Sequence, residues 1–575
     1  MHHAKAVLLA TILMLVLGAV PHALAAEEQA SLSLGEDDKL VYTPDERGNR
    51  IPDFSRAGYK GGGVKIPDVS VKLTLEPRPG MVRELAEYDP ENPEAAGEGD
   101  DTERIQAAIN KVSAMPLDEN GFRGAVLLKR GLYRVAESSR IEASGVVLRG
   151  EGQAKDGTVL FLTSDEKVPL ILPQGNRKLT EVPDSRREIA DAYVPWGVTS
   201  FNLKSADGLA VGDKVVVFRP STEQWLKDLG MLNTWKWEKD PHAFDFYFER
   251  EITAVHDNRI TLDVPTVNAM EDKYGGGFVY KYTEQGTISQ VGVEHLRLVS
   301  ADKAAQIGVN FRRCTNSWVR NVTGVNLLRN LVNIGLGADG SHDCEDADCK
   351  FITVQDCAYL HPPERKGSKS AYIFDNAQFC LMQRCYTGGG RHIHSCSARV
   401  QGPNVYLDMV SNHGWDSGPH HRWSMGVLYD NVMSYYMVAR NRGSMGSGHG
   451  WAGAQIVFWN VWVQKSAVQQ PPTGRNYVFG PAYFKYGRKL TGNPVEPRSL
   501  YLRQLEERLG KEAVENVTTE AQRKAVTDPT SELARDRILW DPIRFGIGEV
   551  PREDKPPRES RQEKLYNGYN WTGRF

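Results

Sequence analysis

Residues 100–112, DDTERIQAAINKV, followed by 121–135, GFRGAVLLKRGLYRV, and 144–152, SGVVLRGEG, decide the reading of the fold. Asp100 with Glu103 makes a capping box, and Ile105, Ala108, Ile109 and Val112 then recur at helical spacing. The first segment is therefore expected to be a short amphipathic helix with one apolar face. The other two hold short β-type runs, Gly124-Ala125-Val126-Leu127-Leu128, Leu132-Tyr133-Arg134-Val135 and Ser144-Gly145-Val146-Val147-Leu148, separated by Gly turns.

Further along, a polar residue followed by a small or medium apolar one recurs as His295-Leu296, Asn321-Val322, Asp356-Cys357, Arg384-Cys385, Asp408-Met409, Asn431-Val432 and Asn460-Val461. The intervals are 26, 35, 28, 24, 23 and 29 residues. Short strands repeating at such periods indicate a solenoid, in which matching residues of successive coils stack at a strand spacing of about 4.8 Å. Unequal intervals fit loops of different length leaving each coil. Seven coils are counted here, with two to four more expected near the N-terminus.

The order DDTERIQAAINKV, GFRGAVLLKRGLYRV, SGVVLRGEG resembles the N-terminal cap and first coils of the pectate-lyase-like superfamily, and the arm DERGNRIPDFSRAGY at residues 45–59 is similar to one that precedes the cap in many bacterial members. The resemblance covers residues 45–152 and implies an all-β, right-handed parallel β-helix whose open N-terminal end is plugged by the helix. It says little of reaction type, because lyases, hydrolases and non-enzymatic adhesins share that fold.

The organisation read from the chain is as follows. Residues 1–25 form a signal peptide: a basic start, the apolar run 6–20 and the small-x-small site Ala23-Leu24-Ala25, which places the mature protein in the periplasm or outside the cell. Residues 26–99 are an arm and linker, and 100–196 the cap helix and first coils. Residues 197–283 break the repeat as an inserted small β subdomain with a Trp-rich loop (Trp225, Trp235, Trp237). Residues 284–482 are the main coils, and 483–575 a helical and extended C-terminal wrap. No later segment is apolar enough to span a membrane. The net charge of −3, with both signs mixed along the chain, argues against a nucleic-acid partner. All seven Cys lie between Cys314 and Cys396. Cys344 and Cys349 share a short acidic loop where a bridge is one reading, and the others read as small core residues.

Chemistry-bearing residues concentrate between Gly388 and Trp451, in GGGRHIHS, SNHGWDSGPHHRWS, ARNRGS and GSGHGW; six of the fourteen His fall there. Structural turn residues are the bland reading. Counting eleven residues back from the apolar member of each dyad gives an inward column of Phe311, Phe374, Ala398, His421 and Gly450. The flanking positions then face out, which stacks His420 on His449 and Arg399 on Arg422. Paired guanidinium groups suit a carboxylate, so an acidic polysaccharide is the expected partner. Its cleavage by β-elimination requires neutralisation of the uronate carboxylate, a base for C5–H and an acid for the leaving 4-oxygen.

On this reading Arg399 with Arg422 or Arg440 clamps the carboxylate, His420 or His421 is the base, and His449 or a Tyr is the acid. Arg391, His392, His394, Asp375, Trp415 and Trp451 line the same groove. Many pectate lyases use calcium held by aspartates. Here the loop Asp343-Cys344-Glu345-Asp346-Ala347-Asp348 has the carboxylates for calcium but matches no defined motif, and reads first as a solvated acidic loop.

Two alternatives compete. Gly448-His449-Gly450 resembles the Gly-His-Gly of family 28 polygalacturonases, which implies a glycoside hydrolase, but the two flanking carboxylates such an enzyme needs are not found at the equivalent coils. They leave Asp375, Asp408, Asp416 and Asp430 as scattered candidates, with Asp408 and Asp430 placed by the repeat in a structural ladder. A non-catalytic carbohydrate-binding protein would use Trp225, Trp235, Trp237, Trp415, Trp423 and Trp451 as sugar platforms, although core packing accounts for Trp equally well.

Overall fold

The computed structural model describes residues 31–79, 99–163, 168–236, 239–240, 242–300, 307–335, 348–360, 370–411, 414–480 and 494–524. The signal segment, Trp237, Cys344 with most of the acidic loop, and the tail from 525 lie outside them.

The helix spans Thr102–Ser113, and Ile105, Ala108, Ile109 and Val112 are buried against Val126, Leu128, Tyr133 and Val146 of the first coils, as the plug requires. The capping box does not form. Asp101 rather than Asp100 takes the N-cap position, and its buried carboxylate accepts from Arg78 Nε at 2.9 Å and from Arg104. Asp100 instead accepts from the Thr102 amide and hydroxyl at 2.9 and 2.6 Å, leaving Glu103 exposed. Two arginines close to a buried carboxylate outcompete a single backbone amide.

The body is a parallel β-helix with three faces. On the first, strands such as Gly124–Leu128, Val146–Arg149, Cys349–Gln355, Gln401–Leu407, Ser424–Asp430 and Val457–Trp459 stack in parallel. The second carries the dyads. The residues just after them pair coil to coil as Arg297, Thr323, Ala358, Tyr386, Val410, Met433 and Trp462. The third stacks Pro169–Pro173, Ile307–Phe311, Asn330–Ile334, Tyr372–Phe374, His392–Cys396 and Asp416–Pro419, and closes with Tyr436 and Lys465 of the long strands Met433–Ala439 and Trp462–Val468.

The physical meaning of the dyad is a corner. His295, Asn321, Asp356, Arg384, Asp408, Asn431 and Asn460 all adopt left-handed backbone, with φ between 47° and 58°. The following apolar residue turns into the core, where Leu296, Val322, Cys357, Cys385, Met409, Val432 and Val461 are buried. Asn and Asp tolerate this conformation better than β-branched residues. At Asn321, whose side chain makes no hydrogen bond among the described residues, Asn321→Val is expected to cost about 1–2 kcal/mol and Asn321→Gly close to nothing, read as shifts of the urea midpoint. An equal cost for both would remove the conformational explanation.

Cys314, Cys349, Cys357, Cys380, Cys385 and Cys396 all sit in the core with free thiols, so Cys349 points inward rather than to the acidic loop.

The antiparallel subdomain pairs Lys178–Glu181 with Phe278–Gln285, so its sheet begins before the composition changes at Gly197. Lys214–Arg219, Phe246–His256 and Arg259–Leu262 continue it. Its apolar interior runs into the β-helix through Trp423, Met425 and Ala454. The arm crosses the outside of the first face. Ile51, Phe54 and Ala57 are buried there together with Leu500, Tyr501 and Leu505 of the C-terminal helix Leu500–Leu509. Among the described residues no helix is long and apolar enough to cross a membrane.

Candidate functional site

The site grows from the third face. His392 pairs with Asp416, Asp416 with Tyr436, and Tyr436 with Lys465, one residue from each of four successive coils. Between His392 and Ser395 the strand carries one residue more than the partner segment from Asp416 to Gly418, a β-bulge. The extra residue lets Ile393 and His394 both turn inward while His392 faces Asp416. His394, expected to meet substrate, is buried in the core between the Tyr372 and Tyr406 rings, with Nδ1 3.0 Å from Ser417 Oγ, and burial pushes its pKa down to about 3.

His392 Nδ1 lies 2.5 Å from Asp416 Oδ1. A carboxylate only accepts here, so Nδ1 carries the proton and Nε2, which makes no hydrogen bond among the described residues, keeps its lone pair. The His392 ring meets that of His420 at 4.1 Å between centroids. His420 in turn stands 5.0 Å from His421 and 4.8 Å from His449, and His421 stacks on His449 at 5.1 Å. The sequence-derived contact of His420 with His449 is therefore present.

Arg442 fixes the state of His420. Its Nη1 donates to His420 Nδ1 at 3.0 Å and to the His420 carbonyl at 3.1 Å. A guanidinium cannot accept, so His420 Nδ1 is unprotonated and the neutral ring carries its proton on Nε2.

Electrostatics agree. Burial lowers the His392 pKa, with Asp416 opposing it; burial, His392 and Arg442 drive that of His420 far down. Burial, Arg442 and Arg422 bring His449 to about 4. His392, His420 and His449 are thus neutral at pH 7, and the cations Arg391 and Arg442 act on both His392 and His449. Tyr436 has its pKa raised by burial, against the pull of Arg440, and also feels Asp416, Lys465 and Arg442.

Other expected members fall elsewhere. Arg399 and Arg422 are backbone neighbours, joined by a 2.8 Å hydrogen bond from the Arg399 amide to the Arg422 carbonyl, yet they form no clamp. The Arg399 guanidinium donates to the Ala243 carbonyl of the subdomain, and Arg422 donates to Ser447 O at 2.6 Å and Oγ at 2.9 Å. The alignment behind that clamp slips by two residues: Phe374 pairs with Cys396, and Cys396 with Pro419, not with Ala398 and His421. The arc from third face to second-face dyad is 11 residues from Phe374 but 13 from Cys396 and Pro419, so a constant count misses it. A slip of two preserves which side chains face out.

Asp375 is buried in the turn after Tyr372–Phe374, one coil before His392. Asp408 and Asp430 are structural, as the ladder predicts: Asp408 accepts from Arg498 and Gln522, Asp430 from Ser499 and the Tyr501 amide.

Most of the tryptophans pack rather than present platforms. Trp225, Trp235 and Trp423 form one buried cluster, with Trp225 5.3 Å from Trp423, and Trp451 donates to the Leu229 carbonyl at 3.2 Å. Trp415 differs, lying half-buried beside Tyr435 and Tyr436 on the site's own face. The Gly-His-Gly segment is shaped by close approach. Gly448 (φ 81°) would put a Cβ 2.3 Å from the Thr234 carbonyl, and Gly450 (φ 57°) 2.4 Å from the Trp235 indole nitrogen. That indole donates to the His449 carbonyl at 3.3 Å, so the subdomain holds the His449 backbone. Gly446 (φ 60°) leaves room for the His449 imidazole, which a Cβ would meet at 2.3 Å.

Among the described residues no group of His, Cys, Asp and Glu is arranged to hold a metal ion. Asp343 to Ala347 lie outside them. Arg442 and Tyr436 escaped the sequence reading, and Asp416 entered it only as a scattered carboxylate.

No family model matches the chain, and no curated protein matches it. Among solved structures, the tailspike protein gp49 from Pseudomonas phage LKA1 aligns at TM-score 0.37 and 14% identity over 62% of this chain and 56% of that one. The tailspike of E. coli bacteriophage HK620, in complex with a pentasaccharide, aligns at 0.32 and 10% over 68% and 51%. The A-module of the Azotobacter vinelandii mannuronan C-5 epimerase AlgE6 aligns at 0.31 and 12% over 67% and 76%. The chemistry of this chain rests on its own side chains.

Proposed function

We propose that the protein cleaves an acidic polysaccharide by β-elimination, with His392 as the base. The observation that carries the reading is the Asp416–His392 pair, which leaves a lone pair on Nε2 beside a rim of arginines. Proton abstraction α to a carboxylate needs the developing charge stabilised, and fixed guanidinium groups in a partly dry site supply this without reorganising. Arg442, already held against His420, is the best-placed neutraliser, and Arg391 acts on the same two histidines, His392 and His449.

The step balances within the chain. The C5–H bond breaks and its proton passes to His392 Nε2. The electron pair forms the C4–C5 double bond, the C4–O bond breaks, and the leaving oxygen takes a proton from the Tyr436 hydroxyl. A tyrosine whose pKa is raised stays protonated at neutral pH and so can serve as that acid, whereas His449, at about 4, does not. His420, committed to Arg442, is a neutral donor rather than the base. Hydrolysis is less well supported, because it needs two carboxylates flanking the bond. Asp408 and Asp430 are tied beneath the C-terminal helices. The apolar leader at residues 6–20 supports action outside the cytoplasm.

The test is ultraviolet absorbance of the unsaturated uronide during incubation with pectate, alginate, ulvan and glycosaminoglycans. The expected result is a rise on at least one polymer that falls on the order of a hundredfold or more in His392→Ala. New reducing ends without absorbance would replace elimination by hydrolysis.

A further inference from the structure

From the coil of Asp416 through the next two coils, the outer face carries a second constellation. Lys465 is exposed, and its ammonium stands 5.8 Å from the centroid of the Trp415 ring and 5.1 Å from that of Tyr435. The two rings lie 5.3 Å apart at 37° and are each half-buried. Trp415 immediately precedes Asp416, Tyr435 immediately precedes Tyr436, and Lys465 is the strand partner of Tyr436. The group is therefore the direct continuation of the site along the solenoid axis.

Accepting the acidic-polysaccharide reading, we infer that Trp415, Tyr435 and Lys465 form a distal subsite that binds a second uronate of the same chain. Successive coils rise by about 4.8 Å, so the Lys465 backbone stands roughly 14 Å from that of His392 along the axis, while its ammonium reaches back toward Trp415, one coil from His392. A linked hexuronosyl unit advances by a similar distance per sugar. A chain lying along this face with one unit at His392 thus presents the carboxylate of a unit about one to three sugars away to the Lys465 ammonium.

The chemistry of the subsite suits that occupant. Aromatic faces take the apolar face of a pyranose, and the ammonium is a point charge for a carboxylate. The rings hold the ammonium in place by cation–π attraction, so an arriving carboxylate meets a cation that is already positioned. The enzyme would therefore favour polymers with acidic units at regular intervals over short fragments, and bind by electrostatics that weaken with salt.

The experiment uses oligouronates from disaccharide to heptasaccharide, prepared from the polymer that gives the strongest response. The parent protein is compared with Lys465→Gln and Trp415→Leu. For the parent, kcat/KM is expected to rise about tenfold at the length that first spans both positions, a size set by one partly exposed charge pair plus stacking. In Lys465→Gln that step is expected to shrink to threefold or less and to lose most of its salt dependence. A merely structural Lys465 would lower all lengths alike. Calorimetric binding of the heptasaccharide to His392→Ala, with and without Lys465→Gln, separates this inference from the one it rests on. Lys465-dependent binding without cleavage by the parent sustains the subsite and ends the elimination reading. Cleavage whose length step survives in Lys465→Gln overturns the subsite alone. Neither binding nor cleavage overturns both.

Discussion

Under the proposed elimination, the Asp416→Asn protein is expected to turn over a polyuronate about a thousandfold more slowly than the parent, with the fold intact. Asn is isosteric and keeps a hydrogen bond to His392 Nδ1, but it lacks the charge that stabilises the imidazolium formed when the proton arrives, and its amide can present nitrogen as well as oxygen. Either effect misplaces or weakens the base. The pH profile discriminates this from a structural loss. His392 must be neutral to act, so the rate is lost as pH falls through its pKa. Burial lowers that pKa, and Arg442 and Arg391 lower it further, while Asp416 raises it. Removing Asp416 leaves only the lowering influences, so the acid limb must move to lower pH while the plateau drops. An unchanged plateau, or a limb that moves upward, would take the base role away from His392. Tyr436, with its raised pKa, keeps the alkaline limb well above neutrality in both proteins.

Under the proposed elimination, the neutral state of His392, His420 and His449 beside Arg391, Arg422 and Arg442 has a physical use. Each of these three histidines, kept uncharged, avoids adding to the repulsion among the guanidinium groups, and the carboxylate of the proposed substrate would relieve the rest. Asp416, a carboxylate on the cluster's own face, orients His392.

The sequence carried the fold because corners are local. Each dyad joins a residue tolerant of left-handed backbone to one that fits the core, and both preferences show in one dimension. The His-rich stretch was legible for the same reason, as composition. Pairing across coils was only half legible. His392 to Asp416 is 24 residues, the same interval as Cys385 to Met409, and Tyr436 to Lys465 is 29, the interval from Val432 to Val461. Applied to the third face, the coil period would have found the His392–Asp416 pair but not its link to Tyr436 and Lys465, because Asp416 to Tyr436 is 20 residues where Met409 to Val432 is 23. Counting inward from the corner failed because the arc gains two residues after Phe374. The insertion was the other blind spot. Nothing in the local pattern says that Trp225 and Trp235 dock on Trp423, or that Arg399 turns to the Ala243 carbonyl, because those contacts join segments more than 150 residues apart.

The largest stability effect is expected at Arg384, which ties the coil stack to the C-terminal wrap. Its Nε and Nη2 hold the Asp356 carboxylate at 2.8 and 3.0 Å, and Nη1 donates to the Val517 carbonyl at 3.1 Å and to Gln522 Oε1 at 2.6 Å. Both partners are buried, and both are corner residues of adjacent coils. Arg384→Met keeps the aliphatic volume but leaves a buried carboxylate without its cation, a loss of about 3–5 kcal/mol. Asp356→Asn combined with Arg384→Met removes the stranded charge, and the remaining cost is about 1–3 kcal/mol for the orphaned Val517 carbonyl and Gln522 side chain. The double variant must therefore be more stable than Arg384→Met alone, an order that simple loss of contacts would not produce. Equilibrium unfolding in urea measures it. Hydrogen exchange locates it: protection is expected to fall first in the helices Leu500–Leu509 and Lys511–Val517, which cover the first face. The His392–Asp416 pair sits on the third face, so turnover by the folded fraction is expected to stay at the parent level. If activity falls in step with the C-terminal exchange, the two faces are coupled through the core and the site is not carried by the coil stack alone.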